Sequence, residues 1–89
     1  MVVLYKIVYT RQAAKDVEAI KRAGLTAKVQ KLLAILRKNP YQSPPPFEKL
    51  AGDLNGLFSR RINIQHRLVY QVFENEQTIK IIRLWTHYE

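Results

Sequence analysis

The hydrophobic residues near the N-terminal end of the chain change from strand-like to helix-like spacing at Thr10. Residues 2–9 are mostly β-branched or aromatic with partial alternation, which predicts a first strand. After Thr10, apolar residues recur at steps of three and four, so we expect a helix with Thr10 as its N-cap and Gly24 just beyond its last turn. Lys15 and Asp16 are expected on the solvent side of this helix.

A second helix is predicted between Thr26 and the Asn39-Pro40 pair. Thr26 is a suitable N-cap, and a residue that precedes proline disfavours helical geometry, so the helix should stop at Asn39. The apolar stripe of this helix consists of Val29, Leu32, Leu33 and Leu36. Together the two segments predict a helical hairpin.

The rest of the chain has the pattern of short strands joined by turns. Residues 39–46 are rich in proline, which predicts an extended connection. Gly52 and Asn55-Gly56 mark turns that lead into the strands. Three apolar segments follow, at residues 57–64, 67–73 and 78–85. The turns between them are predicted at Ile64-Gln65 and at residues 74–77.

The order of these elements, β-α-α-β-β-β, predicts one α+β domain over residues 1–89. Strands that follow one another through short turns pair in an antiparallel manner, and helices bury their apolar stripes against a sheet. We therefore expect two helices packed on one face of a mainly antiparallel four-stranded sheet.

The charge of the chain narrows the class of partner. Fifteen Lys and Arg residues against seven Asp and Glu residues give a net charge of +8, which favours nucleic acid or an acidic protein. The chain has no cysteine, and His66 and His87 lack a metal-binding spacing, so neither a metal nor another cofactor is expected. Without a signal peptide or a membrane-spanning segment, the protein is expected to be soluble and cytoplasmic.

The predicted strands carry four arginines, Arg60, Arg61, Arg67 and Arg83. A turn at Ile64-Gln65 would pair Ile62 with Arg67. Arg60 would then share a face of the sheet with Arg67. Guanidinium groups fixed on a sheet suit the oxygens of a phosphodiester, so these arginines are candidate RNA contacts. The alternative is that they are solvated or ion-paired surface residues.

Candidate general acids and bases are few. The imidazole of His87 can hold or release a proton near neutral pH, and the phenol of Tyr88 follows it. Glu48 lies just after the proline-rich segment, beside Lys49 and outside any amphipathic helix. The alternative interpretation is that both are solvated, Glu48 in a loop and His87 near a frayed chain end.

Several of these residues fall in segments with a specific pattern. The segments are Phe47-Glu48-Lys49-Leu50, Leu54-Asn55-Gly56-Leu57-Phe58-Ser59-Arg60-Arg61-Ile62, His66-Arg67-Leu68-Val69-Tyr70 and His87-Tyr88. In them the chain resembles the Txe/YoeB family of toxins within the RelE superfamily. The resemblance implies a ribosome-dependent endoribonuclease that cuts messenger RNA and is neutralised by a cognate antitoxin.

The resemblance also implies roles for individual residues. Glu48 matches the family's general base, Arg67 its phosphate-stabilising arginine and His87 its general acid. Tyr88 matches the active-site tyrosine. Basic positions that contact RNA are matched by Lys49, Arg60 and Arg61. The 2′-hydroxyl of the RNA would attack the adjacent phosphorus without a metal, giving 2′,3′-cyclic phosphate and 5′-hydroxyl ends.

The partners implied are the ribosome, messenger RNA and an antitoxin of the YefM or Phd type with an acidic segment, and relatives suggest a homodimer. Two other functions stay open. One is a ParE-like toxin that inhibits DNA gyrase and cleaves nothing, and the other is a non-catalytic module that binds nucleic acid or an acidic protein. The joint presence of Glu48, Arg67, His87 and Tyr88 favours the ribonuclease, because neither alternative needs acid–base groups.

Overall fold

The computed structural model of the protein describes residues 4–50 and 56–86. In this part of the chain five strands form one sheet, and two helices lie between the first and second strands. The elements are β1 (Lys6–Tyr9), α1 (Arg11–Arg22), α2 (Thr26–Lys38), β2 (Phe47–Lys49), β3 (Leu57–Arg61), β4 (Arg67–Phe73) and β5 (Thr78–Thr86). The strand order is β1-β5-β4-β3-β2, with β1 parallel to β5 and the other pairs antiparallel.

The predicted fold class is confirmed, but the predicted count of four strands is wrong. The additional strand is β2, which contains three residues and pairs with β3 at the edge of the sheet. A segment this short, coming directly after three consecutive prolines, has no alternation that could be read as a strand. It nevertheless matters, because it carries Glu48.

The helices cover one face of the sheet. Alternate residues of two interior strands, among them Leu68 and Tyr70 on β4 and Ile79 and Ile81 on β5, are fully buried in the core that the helices cover. The helices contribute Ala13, Ile20, Val29, Leu32 and Leu36 to the same core. The apolar stripe predicted for α2 is therefore the face that it buries, with Leu33 partly buried. Within the described residues, no helix has the length and apolar character needed to cross a membrane.

The ends of α1 follow the predicted capping pattern. The Thr10 hydroxyl accepts a hydrogen bond from the Ala13 N–H at 3.0 Å. At the other end Gly24 has a positive φ of 71°, its N–H bonds the Lys21 carbonyl, and the Leu25 N–H bonds the Ile20 carbonyl. This pair of bonds is a Schellman motif, for which glycine is favoured. Helix α2 begins one residue earlier than expected, with Leu25 as its N-cap and Thr26 as its first residue.

We expect Thr10→Ala to lower the free energy of unfolding by about 1–2 kcal/mol, measured by urea denaturation. The hydroxyl also donates to the Ile82 carbonyl at 2.9 Å, so the substitution removes a link between α1 and β5 as well as the cap. Thr10→Ser should keep most of the stability. Thr26→Ala is the matched control, because the start of α2 has no side-chain cap. An equal loss at both positions would contradict this interpretation.

The expectation that Asp16 faces solvent is wrong. Asp16 is 4% exposed, and its carboxylate accepts hydrogen bonds from Arg83 Nε at 2.8 Å and the Leu84 N–H at 3.0 Å. Gln12, one helical turn earlier, donates a third bond at 3.2 Å. Burial acts to raise the pKa of Asp16, but these hydrogen bonds outweigh it and the pKa lies below its ordinary value. The carboxylate thus joins α1 to β5.

The predicted register of the β3–β4 hairpin is wrong by one residue. Arg61, not Ile62, lies opposite Arg67. The turn is longer than expected because the Ile62 N–H bonds the His66 carbonyl at 2.8 Å, and the Asn63 side chain accepts bonds from two following N–H groups. Ile62 is buried in the core, which fixes this register. Consequently Arg61 shares the face of Arg67, and Arg60 points to the opposite face.

Candidate active site

The sheet face away from the helices carries a cluster of polar residues where β2, β3 and β4 lie side by side. Glu48 of β2 pairs with Ser59 of β3. Two residues further along β3, Arg61 pairs with Arg67 of β4. Because side chains on a strand alternate between faces, this register brings all four to one face. Strand pairing therefore assembles the site from three separate segments of the chain.

These residues surround an open pocket of about 220 Å³, which is lined by Pro46, Phe47, Glu48, Ser59, Arg61 and Arg67. Across it, Arg67 Nη1 lies 3.5 Å from Glu48 Oε2. The Arg67 side chain is 21% exposed and that of Glu48 is 66% exposed, so a ligand can reach both groups from solvent. An exposed pair of this kind contributes only about 0–1 kcal/mol to stability. The ion pair can therefore open at little cost.

Ser59, in the same pocket, was not predicted. Its residue is 1% exposed, and its hydroxyl has no hydrogen-bond partner within residues 4–50 and 56–86. Buried hydroxyls are normally hydrogen-bonded, so this one is an unusual feature of the pocket. Two sequence signals could have indicated it: Ser59 belongs to one of the segments that carry the family resemblance, and the alternation of β3 places it two residues before Arg61.

The last described strand ends next to this pocket. Thr86, the final residue of β5, lies opposite Arg67 of β4. In the sequence, His87 and Tyr88 follow Thr86 directly. Both predicted site residues lie outside the described residues. What the structure establishes is that the strand leading to them reaches the position of Arg67.

Arg60 has a different environment from the other predicted RNA contacts. It is 1% exposed and lies under the proline-rich loop, residues 40–46. Its Nη1 donates to the Pro45 carbonyl at 2.7 Å, and its Nη2 donates to the carbonyls of Pro40 at 3.0 Å and Gln42 at 2.8 Å. Its Nε donates to the Tyr70 hydroxyl at 3.2 Å. The guanidinium group is thus bound to the protein itself.

Aromatic rings enclose this buried guanidinium. Arg60 Cζ lies 4.8 Å from the centre of the Phe47 ring, a cation–π geometry. Phe58 contacts Phe47 edge-on at 5.8 Å and stacks on Tyr70 at 5.5 Å between ring centres. Burial raises the pKa of Tyr70, although the Arg60 hydrogen bond and charge act in the opposite direction. The hydroxyl therefore stays protonated and donates to the Pro40 carbonyl at 2.8 Å.

The two remaining predicted contacts lie outside the pocket lining. Lys49 is exposed on β2 and, by strand alternation, points to the face opposite to that of Glu48. Arg83 is 31% exposed, and its Nε is bound by Asp16 of α1. The structure therefore brings together Glu48, Arg61 and Arg67, while Arg60 and Arg83 are engaged by other parts of the protein.

The family model of the YoeB-like toxins of bacterial type II toxin-antitoxin systems matches residues 9–88 of this chain. The chain belongs to this family. The resemblance inferred from the sequence is thereby confirmed. Within the family, the toxin YoeB of Streptomyces coelicolor is 34% identical over 64 residues, which cover 72% of this chain and 74% of that protein.

Solved structures agree with this membership. The YoeB/ParE toxin of Agrobacterium tumefaciens is 33% identical and superposes with a TM-score of 0.85 over 93% of this chain and 99% of that one. YoeB of Staphylococcus aureus has been solved in a complex with YefM, where it is 33% identical with a TM-score of 0.80 over 94% and 98% of the two chains. It has also been solved as a dimer, with a TM-score of 0.79 over the same shares. The chain is thus a toxin of a type II toxin-antitoxin system with a RelE-like fold.

Proposed function

We propose that this toxin is a ribosome-dependent endoribonuclease that cuts messenger RNA. The observation that carries the proposal is the pairing of a carboxylate, Glu48, with a guanidinium, Arg67, across an open pocket that also contains Arg61. Cleavage of RNA requires a group that accepts the proton of the attacking hydroxyl and a group that binds the phosphate under attack. Membership in the YoeB-like family supports the same conclusion.

In the proposed reaction the RNA supplies its own nucleophile. Glu48 accepts the proton of a 2′-hydroxyl while the 2′-oxygen forms a bond to the adjacent phosphorus. The bond between phosphorus and the 5′-oxygen breaks, and His87 donates a proton to that leaving oxygen. Arg67 binds the non-bridging oxygens, on which negative charge develops. The products are a 2′,3′-cyclic phosphate and a 5′-hydroxyl end, and the proposed scheme uses no metal.

The Glu48–Arg67 ion pair fits this role because it is weak. A phosphodiester offers Arg67 charge-assisted hydrogen bonds, which are stronger than an exposed ion pair. Binding of a phosphodiester to Arg67 would open the ion pair and leave Glu48 facing the 2′-hydroxyl. Arg61, beside Arg67, is proposed to bind an adjoining phosphate oxygen, and Tyr88 to complete the site next to His87.

The other basic residues are assigned according to what they contact. Lys49 is exposed and is proposed to meet the RNA backbone outside the pocket. Arg60 and Arg83 are proposed to support the site through the protein, because their guanidinium groups are bound by the proline-rich loop and by Asp16.

The ribosome would supply much of the rate by holding the codon. A positioned acid or base typically accelerates a reaction by about 100- to 10,000-fold. Fixing the nucleotide for in-line attack can contribute up to roughly 7–11 kcal/mol more. A small, open pocket by itself offers little surface to hold the nucleotide in this geometry, so we expect weak activity on free RNA.

The proposed partners follow from charge and from the relatives. YefM accompanies the related toxin of Staphylococcus aureus, and a net charge of +8 suits an antitoxin with an acidic segment. The same relative forms a dimer, which makes a homodimer the proposed assembly of this chain. Messenger RNA as substrate and the ribosome as partner imply action in the cytoplasm.

The test is to map RNA ends after incubating messenger RNA with the purified protein, with and without ribosomes. Cyclic phosphate and 5′-hydroxyl ends are expected only with ribosomes. His87→Ala should lower the cleavage rate by about 100-fold or more while ribosome binding stays within a few-fold of wild type. Lys28→Ala, an exposed site on α2, is the control for loss of positive charge.

The alternatives predict different results. A non-catalytic binding module would yield no new ends, and His87→Ala would leave its toxicity unchanged or lower it together with binding. A gyrase inhibitor would stay toxic when Glu48, Arg67 and His87 are all replaced. Either result would exclude the ribonuclease.

A further inference from the structure

Arg60 and the proline-rich loop depend on each other for their hydrogen bonds. Pro44, Pro45 and Pro46 have no N–H group, so this stretch cannot form a backbone ladder of its own. Three carbonyls of the loop instead accept bonds from the Arg60 guanidinium. Arg60 thus supplies donors that the prolines lack, and the Tyr70 hydroxyl adds a further bond to the Pro40 carbonyl.

This loop determines where β2 begins. The last carbonyl held by Arg60 is that of Pro45, two residues before Phe47. Phe47 lies directly opposite Arg60 in the strand register, and its ring packs on the guanidinium. Glu48 is the next residue and projects to the other face, toward Arg67. Phe47, on the face of β2 toward Arg60, is therefore held by that side chain, and Glu48, on the opposite face, is the proposed base.

We propose that Arg60 is a positioning residue that fixes the carboxylate of Glu48 at the cleavage site by clamping the proline-rich loop from inside the protein. The inference rests on the proposed role of Glu48 as the general base. Arg60 itself does not touch RNA. Its contribution reaches the reaction only through the loop and β2.

The chemistry of the clamp requires arginine. Its planar group presents donors in fixed directions, and here four of them reach three carbonyls and one hydroxyl. The ammonium group of lysine offers three donors from a single point and cannot span the same set. The Tyr70 hydroxyl completes the clamp by bonding both Arg60 and the Pro40 carbonyl.

The experiment is a double-mutant cycle measured by single-turnover cleavage on ribosomes at saturating enzyme. Arg60→Met is expected to lower the cleavage rate about 100-fold, as a small displacement of a catalytic group does, and to change the half-saturating concentration less than about threefold. In a Glu48→Gln background the same substitution should add less than about threefold, because the group that it misplaces is already absent. Arg60→Lys should recover only part of the wild-type rate.

Tyr70→Phe provides a milder test in which the guanidinium remains. We expect a loss of about tenfold in the rate, again absent in the Glu48→Gln background. Tyr9→Phe is its matched control, because Tyr9 is an exposed residue of β1, which lies at the edge of the sheet opposite to β2. Ile20→Ala, a truncation in the core of α1, shows how far reduced stability alone affects the rate of the folded protein.

The outcomes separate this inference from the proposed function. If Glu48→Gln cleaves like wild type, the assignment of the base fails and the positioning role fails with it. If Glu48→Gln is inactive but Arg60→Met and Tyr70→Phe cleave normally, only the positioning role is overturned. Equal losses from Arg60→Met in the wild-type and Glu48→Gln backgrounds would also overturn it, since the residue would then act independently of Glu48.

Discussion

Arg67→Ala is expected to lower the single-turnover rate of ribosome-dependent cleavage by about 100- to 1,000-fold, the range for loss of one donor that stabilises an oxyanion. The physical reason is that Arg67 is the guanidinium that faces the proposed base, at 3.5 Å, on the open side of the sheet. Arg67→Lys keeps the charge but not the fork of donors, so it should lose about tenfold or more. Quenched-flow cleavage of a ribosome-bound message measures both.

Stability should respond far less than activity. The partner of Arg67 is 66% exposed, so removing the pair costs about 0–1 kcal/mol by urea denaturation. Arg22→Ala, at an exposed position near the end of α1, is the control for lost charge and should cleave within about threefold of wild type. If Arg67→Ala matched that control in rate, the phosphate-binding role would be wrong.

The helices were the part of the fold most readable from the sequence. Thr10 and Gly24 act locally, through hydrogen bonds to residues within one turn, so the residue type alone indicates the cap. Asp16 shows the limit of this approach. Its polarity predicts solvent, whereas its burial depends on Arg83, a residue 67 positions away. No periodicity within α1 contains that information.

The candidate site depends on register, which sequence patterns determine less well. Arg60 and Arg61 are adjacent and chemically identical, and alternation sends one into the core and the other into the pocket. The length of the Ile62–His66 turn decides which arginine faces the core and which faces the pocket. An error of one residue in the register exchanges the two faces. The specific roles predicted for Glu48 as the base and Arg67 as the phosphate-binding residue came instead from the family resemblance, which is insensitive to register.

A buried arginine is a further property that the sequence could not reveal. Arginine is rarely buried without partners, and the partners here are carbonyls of a loop that precedes it by fifteen to twenty residues. Prolines indicate an extended loop, but they do not indicate which side chain will donate hydrogen bonds to its carbonyls. The consequence is that two of the four arginines predicted to bind RNA, Arg60 and Arg83, donate hydrogen bonds to other parts of the protein.

Asp16→Asn is expected to lower the free energy of unfolding by about 3 kcal/mol at pH 7, at the lower end of the range for breaking a buried ion pair. The variant leaves Arg83 without an anionic partner and weakens the acceptor of the Leu84 N–H. Urea denaturation monitored by circular dichroism measures the loss. Glu18→Gln is the matched control on the same helix, since its ion pair with Lys21 is exposed and 3.9 Å long, and it should change stability by less than about 0.5 kcal/mol.

The pH dependence distinguishes loss of this charge from a packing defect. Because the pKa of Asp16 is depressed in the folded protein, its contribution is complete above the ordinary value of 3.8 and is lost as the pH falls through the lower, folded value. The difference in stability between wild type and Asp16→Asn should therefore be constant from pH 7 to about pH 5 and shrink below about pH 4. A difference that persists unchanged at about pH 2 would mean that shape, rather than the ionised carboxylate, joins α1 to β5.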